Sequence, residues 1–200
     1  ARKNVDLDLQ VVLVDQAGKI VDAIFHNNLN AMNGAVAHSG DKLDGGGGPF
    51  AEMVWVDFTK MKMGIKLMIF VVAAASGGHL IDVRKGLISV VDSKFSVLAQ
   101  YTMEASRGDV DAVVMMKRSK MGRWSVEAID ALAEEGTSFL DILDVIGDLV
   151  KQEIPEAPET QQCVFITDKG AGATAYKPQA GETRRTVGLS PTTYSAVFSW

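Results

Sequence analysis

The sequence predicts a mainly β fold: an antiparallel β-sandwich with one C-terminal amphipathic helix and an extended tail. Two observations lead to this prediction. Eight short apolar or alternating segments are separated by turn-forming residues, and no segment of crossover-helix length lies between them. A parallel sheet would need such segments, because each pair of parallel strands is joined by a crossover connection. Residues 1–154 form the predicted sandwich domain, and residues 155–200 form the linker and tail.

The strands are recognised by period-two alternation or by a continuous run of β-branched residues. In the first strand, Leu7 and Leu9 face one side of the sheet and Asp8 faces the other. The run at residues 65–72 is continuous, which is typical of a central strand buried on both faces. The eight predicted strands cover residues 5–14, 20–25, 53–58, 65–72, 87–91, 95–101, 110–117 and 123–129.

One amphipathic helix is predicted at the end of the sandwich domain. Apolar residues recur at three- and four-residue spacing from Phe139 to Val150, and aspartates take the opposite face. Either Thr137 or Ser138 can cap the N-terminus, and Pro155 ends the helix. We expect its apolar face to pack on the sandwich, with a partner-binding helix as the alternative.

The composition argues against several classes of function. The net charge of −5 gives no support for a nucleic-acid partner. The most apolar run, residues 65–75, is too short for a transmembrane segment. Cys163 is the only cysteine, so neither an intrachain disulfide nor a thiolate metal cluster is expected. The zinc-protease, nucleophile-elbow and phosphate-loop motifs are absent from the sequence, and we therefore do not expect an enzyme.

A long polar loop, residues 26–52, separates two predicted strands and contains the candidate site. Ahead of it, Asp6 and Asp8 project from one face of the first strand, roughly 7 Å apart along the backbone. Two carboxylates this close are unfavourable unless a cation or a proton lies between them. The loop supplies further oxygen-bearing side chains, namely Asn27, Asn28, Asp41, Asp44 and Glu52. Ca²⁺ prefers ligands of this kind; solvated aspartates beside an unrelated flexible loop are the alternative interpretation.

The order of motifs around this loop resembles a known family. The motifs are Asp6-Leu7-Asp8, Phe25-His26-Asn27-Asn28-Leu29, Asn33-Gly34-Ala35-Val36 and His38-Ser39-Gly40-Asp41, followed by a glycine-rich stretch. In this order they resemble the TerD family of tellurium-resistance and stress-response proteins, over about residues 5–150. The resemblance implies a Ca²⁺-binding antiparallel β-sandwich with no established enzymatic activity.

The resemblance also implies which residues surround the cation. The implied ligands, or their immediate support, are Asp6, Asp8, Asn27, Asn28 and Asp41. We add Asp44 and Glu52, which flank the glycine run at residues 45–48. This run is less acidic than the family pattern, and Lys42 stands where that pattern has an asparagine. Because Ca²⁺ affinity follows ligand charge, we expect one weakened Ca²⁺ site, or none.

The tail, residues 160–200, differs in composition from the rest of the chain. It is rich in Gly, Ala, Thr and Pro and ends with Tyr194, Phe198 and Trp200. Because such a segment cannot bury a core of its own, we expect it either to wrap around the sandwich or to dock on another protein subunit through these aromatic residues. The strand preceding the first motif of the family is missing, and residues 163–167 or another protein would fill the edge this leaves.

The predicted function is therefore a non-catalytic stress-response module that binds Ca²⁺ and docks to partner subunits through its tail. The alternative is a purely structural subunit of a larger complex, with an empty metal site. The family resemblance favours a cytoplasmic location. The sequence begins with Ala1 rather than Met, which we interpret as processing, and this would also fit the interior of an organelle.

Overall fold

A computed structural model of the chain describes residues 5–40, 52–75, 78–83, 86–102, 107–161 and, for the backbone alone, 194–199. It confirms the antiparallel β-sandwich with one C-terminal helix. Within the described residues, one sheet has five strands and the other has six. The helix covers the outer face of the five-stranded sheet, so the domain has three layers.

The strands pair in antiparallel fashion throughout both sheets. Their bounds are β1 Leu7–Asp15, β2 Ile20–Ile24, β3 Asn30–Ala31, β4 Val36–His38, β5 Met53–Val56, β6 Ile65–Ala74, β7 Leu87–Val91, β8 Val97–Thr102, β9 Val110–Arg118, β10 Trp124–Ala133 and β11 Tyr194–Ser199. The five-stranded sheet has the order β10-β9-β6-β1-β2, and the six-stranded sheet has the order β3-β4-β5-β11-β7-β8. Each of the eight predicted strands corresponds to one of these, with ends shifted by a few residues.

The central strands of the five-stranded sheet are buried on both faces. Leu9 of β1 and Phe70 of β6 point into the core between the two sheets. Val12 of β1 and Ile69 of β6 point to the other face of the same sheet, where the C-terminal helix packs. This double burial explains why the sequence of β6 is continuously apolar, because neither face meets water.

The predicted helix is confirmed in two parts. A 3₁₀ turn at Phe139–Ile142 leads directly into α1, Leu143–Glu153. Ser138 is the cap: its hydroxyl accepts the Leu140 N–H at 3.3 Å, and the Asp141 carboxylate accepts the Ser138 N–H at 3.1 Å. Pro155 follows the helix, which it cannot extend. In the described part of the chain no helix is long and apolar enough to cross a membrane.

The C-terminal end of the tail forms a strand inside the sandwich. β11 pairs with β5 on one side and with β7 on the other, so Ala196 lies opposite both Val54 and Val90. Residues 194–199 thus follow the first alternative given for the tail, which is to wrap onto the sandwich. The strand-like patch at residues 163–167, expected to fill a sheet edge, lies outside the described residues.

Two further short strands were missed by the sequence analysis. β3 and β4 lie within the polar loop and are two and three residues long. Strands this short cannot display a period of two, and turn residues surround them. β4 nevertheless matters for the site, because it pairs with β5 and places His38 beside the start of β1.

Candidate cation site

The candidate site arises because β1 is longer than its neighbour β2. β2 pairs with β1 only between Val11 and Val14, whereas β6 pairs along the whole strand from Leu7. The backbone around Leu9 therefore has a strand on one side and, within the described ranges, no strand on the other. Side chains from the polar loop take the place of the missing strand.

Two buried side chains satisfy the Leu9 backbone on this side. The Leu9 N–H donates to Oε2 of Glu52 at 2.7 Å, and the Leu9 carbonyl accepts from Nε2 of His38 at 2.9 Å. Both backbone groups are thus paired, as buried peptide groups must be. Glu52 and His38 lie at opposite ends of the segment 39–51, so these bonds fix both ends of the loop to β1.

The hydrogen bonds of His38 define its tautomer. The Gly40 N–H donates to Nδ1 at 2.9 Å, so Nδ1 acts as the acceptor and Nε2 carries the proton. The same Nε2 lies 3.5 Å from Oε2 of Glu52, and both side chains are 1% exposed. His38 is therefore a neutral hydrogen-bond donor in this arrangement.

Asp8 lies directly before Leu9 and brings a second buried carboxylate to this end of β1. It is 5% exposed, and its Oδ2 lies 3.2 Å from Nδ1 of the exposed His26. Asp6, the other aspartate of the predicted pair, is half-buried just before the first residue of β1. The first residues of β1 thus have one buried carboxylate within the strand, Asp8, and a second, Glu52, that accepts a backbone N–H of the strand.

The two asparagines of the motif have different positions. Asn28 is buried, and its side-chain amide donates to Oδ1 of Asp22 at 3.1 Å and to the Ala23 carbonyl at 2.5 Å. It holds the chain where it leaves β2. Asn27 is exposed. Asp22 was missed by the sequence analysis, although an acidic residue at an inward position between Ile20 and Ile24 was a signal that could have found it.

The remaining predicted site residues lie outside the described ranges or in β11. Asp41, Asp44 and Trp200 are outside them. Tyr194 and Phe198 belong to β11, whose backbone pairs with strands of its own chain on both sides. Their role as contacts for a partner subunit stays a prediction.

The donors present fit a hard cation in kind. Asp8 and Glu52 supply carboxylate oxygens, the ligand type that Ca²⁺ prefers. Across the described residues no group of three His, Cys, Asp or Glu side chains is close enough to hold a metal ion, and none of the lysines and arginines described there pairs with Glu52. A complete shell would need oxygens from residues 41–51, which include Asp41 and Asp44.

The two sheets and the covering helix define the class of the domain, an antiparallel β-sandwich with a helix packed on one outer face. The model of the TerD domain family matches residues 1–140, and the chain belongs to this family. The resemblance drawn from the motifs is thereby confirmed.

Several known proteins are similar to the chain. It is 31% identical over 126 residues to the tellurium resistance protein TerZ of Serratia marcescens, covering 63% of this chain and 65% of that protein. It is 31% identical over 133 residues to general stress protein 16U of Bacillus subtilis (strain 168), covering 62% of this chain and 69% of that protein. The match to TerZ therefore spans slightly less than two thirds of that relative's length.

A solved structure shares the fold. The crystal structure of a homologue of the telluride resistance protein TerD from Streptomyces coelicolor A3(2) superimposes with a TM-score of 0.61 at 17% sequence identity. The superposition covers 70% of this chain and 86% of that one. At this level of identity the likeness establishes the fold of the sandwich.

Proposed function

We propose that this TerD-family domain is a non-catalytic stress-response module that binds Ca²⁺ at the start of β1. The observation that carries the proposal is that two carboxylates are buried at this end of β1: Asp8 belongs to the strand, and Glu52 accepts the N–H of the next residue, Leu9. The names of the relatives support the stress-response part. The glycine-rich loop that follows His38 in the sequence supports the cation part, because it supplies further oxygen donors.

The physical argument rests on the cost of burying negative charge. Glu52 is 2% exposed, and its described neighbours are one backbone N–H and the neutral His38. A buried carboxylate is unfavourable unless it is paired, protonated or bound to a cation. A Ca²⁺ ion held by Asp8, Glu52 and oxygens from Asp41 and Asp44 would supply the missing positive charge. Asp6 and Asn27 are further proposed ligands, and Asn28 supports the site through its bond to Asp22.

Thermal unfolding with and without Ca²⁺ tests this proposal. Ligand that binds only the folded state raises the melting temperature, so millimolar Ca²⁺ should stabilise the full chain and excess EGTA should remove the effect. Asp8→Asn should abolish the Ca²⁺-dependent shift. Asp148→Asn is the matched control, because it removes the same charge from the exposed face of α1. An unchanged melting temperature in Ca²⁺ would instead support a structural subunit with an empty metal site.

A second role, docking to partner subunits through the tail, is favoured by the position of β11. This strand is contributed by the far end of the sequence, yet it lies in the middle of a sheet and pairs on both sides. An extended strand from another chain could pair with β5 and β7 in the same way. We therefore propose that the tail joins subunits when β11 is exchanged between them.

Capture between two differently tagged full-length copies tests the exchange. The copies should co-purify after joint unfolding and refolding, when β11 of either copy is free to enter either sandwich. Copies that both carry Ala196→Pro should not co-purify, because proline cannot take part in the ladder on both sides. Equal recovery of wild-type and proline copies would show that subunits associate through another surface.

A further inference from the structure

A second candidate site lies at the other end of β1. It is a pocket of about 330 Å³ formed where the β1–β2 turn, the residues before β6 and the β9–β10 turn meet. The candidate cation site lies at the start of β1. The pocket lies beyond the end of the same strand, where Gln16, the residue after Asp15, is one of its lining residues. The two sites are therefore separated by roughly 25 Å along the strand.

The pocket is basic although the chain as a whole is acidic. Lys66, Arg118 and Lys120 line it, and no carboxylate is among its lining residues. Lys62 and Arg123 lie on the same two loops. Among the described residues, none of these five cations forms an ion pair. Since the net charge is −5, this concentration of unneutralised positive charge is local.

Arg118 is held in place by contacts that leave its charge unneutralised. Its guanidinium lies 5.7 Å from the centre of the Trp124 ring. One terminal nitrogen donates to the Lys62 carbonyl at 3.1 Å, and the other lies 2.8 Å from the Met63 sulfur. Nε is buried and has no acceptor within the described ranges. The Arg118 guanidinium is therefore a fixed positive charge at the pocket, where it could bind an anionic group.

Two exposed methionines border the pocket. Met63 is 69% exposed and Met121 is 80% exposed, more than any other large apolar side chain in the described part of the chain. Each lies on one of the two loops that carry the lysines. Long apolar side chains beside lysines are typical of surfaces that enter the boundary between lipid headgroups and acyl chains.

We propose that this surface, which we call the basic tip (residues 60–66 and 118–123), binds anionic phospholipids. The phosphate of a headgroup would lie in the pocket near Lys66, Arg118 and Lys120. Met63 and Met121 would enter the acyl boundary on either side. The proposal is independent of the Ca²⁺ site and is tested without Ca²⁺.

Vesicle co-sedimentation of the full chain in EGTA tests the charged part. The protein should bind vesicles of phosphatidylcholine mixed with phosphatidylglycerol, should not bind phosphatidylcholine alone, and should be released by high salt. The double variant Lys62→Gln/Lys120→Gln changes two exposed side chains and should weaken binding roughly thirtyfold. Lys94→Gln/Lys151→Gln removes the same charge elsewhere and should bind as the wild type does.

The methionines separate membrane insertion from simple charge attraction. Met63→Ser/Met121→Ser should also weaken vesicle binding, whereas Ile81→Ser/Leu98→Ser, which changes two apolar residues that are 53% and 48% exposed, should not. Binding that depends on the lysines but not on the methionines would overturn the proposal. So would a titration in which inorganic phosphate binds the pocket while vesicles of either composition do not sediment the protein.

Discussion

His38 and Glu52 share the backbone of a single residue: His38 donates to the Leu9 carbonyl, and Glu52 accepts the Leu9 N–H. They fill the space that a longer β2 would have occupied. The two ends of the segment 39–51 are therefore attached to β1 by hydrogen bonds to the backbone of one residue. These two residues make the structural part of the candidate site, and in our proposal Glu52 would also belong to its ligand part.

The two parts can be separated by substitutions at Glu52. Glu52→Ala leaves the buried Leu9 N–H without an acceptor, which should lower the free energy of unfolding by about 1–3 kcal/mol. Glu52→Gln retains an oxygen acceptor, so in EGTA its stability should be closer to that of the wild type. Both variants should lose stabilisation by Ca²⁺. Urea unfolding with EGTA and with Ca²⁺ measures both effects.

The comparison of the two variants in EGTA tests whether the hydrogen bond between Glu52 and the Leu9 N–H stabilises the fold. If Glu52→Gln were as unstable as Glu52→Ala, the hydrogen bond to Leu9 could not be the source of the stability, and the negative charge itself would be required. If Glu52→Gln kept the Ca²⁺-dependent increase, Glu52 would not be a ligand.

A histidine outside the site should make stability depend on pH. Nδ1 of His79 lies 2.5 Å from Oδ1 of Asp109, and this hydrogen bond, with the charge of Asp109, raises the pKa of His79 above its ordinary value of 6.5. A raised folded-state pKa means that the stabilisation is fully present below the ordinary pKa. It is lost as the pH rises through the folded-state pKa.

Proton NMR titration of the His79 ring measures this shift. The pKa should return toward its ordinary value in Asp109→Asn, which keeps the shape of the side chain but removes its charge. His79→Gln should reduce the melting temperature more below pH 6.5 than above the raised folded-state pKa of His79. An equal reduction on both sides would show that the contribution of His79 is independent of its proton.

Secondary-structure elements with a local sequence pattern could be predicted from the sequence alone. The continuous run of β6 and the apolar spacing of α1 depend only on which faces are buried, and both were predicted. β11 depends on partners more than a hundred residues away, β5 and β7, and its own composition is that of a loose tail. Pairing of this kind leaves no local signal.

The same distinction applies to the site. Asp8 and Glu52 were proposed as ligands because acidic residues around a polar loop form a recognisable pattern, and their role as ligands stays a prediction. Their link through the backbone of Leu9 was not found, because it depends on β2 ending before β1 does. A difference in length between two paired strands appears only when their register is known.

The position of β11 predicts that the tail contributes to the stability of the sandwich. Ala196→Pro removes a backbone donor from a strand that is paired on both sides, and the ring restricts φ. The free energy of unfolding should fall by about 2–4 kcal/mol. Ala196→Ser, which keeps the N–H, is the control in the same urea titration. If the proline variant were as stable as the control, residues 194–199 would not be a strand of this sheet in solution.

The start of the helical segment offers a prediction that distinguishes two neighbouring hydroxyls. Ser138 accepts the Leu140 N–H and forms a capping box with Asp141, whereas the exposed Thr137 contributes its backbone N–H, which donates to the same carboxylate at 2.8 Å. Ser138→Ala should therefore lower the free energy of unfolding by about 1 kcal/mol, and Thr137→Ala should change it little. Asp141→Asn should have an intermediate effect, because it keeps an acceptor but loses the charge that favours a helix N-terminus. Urea unfolding of the three variants measures the order of their free energies of unfolding. A larger loss of stability in Thr137→Ala than in Ser138→Ala would place the cap one residue earlier.

Phe139 and Ile142 follow the cap directly, and each is 1% exposed because it packs on the five-stranded sheet. Loss of the cap should therefore destabilise the whole domain in the global unfolding transition, and not only fray the end of the helix.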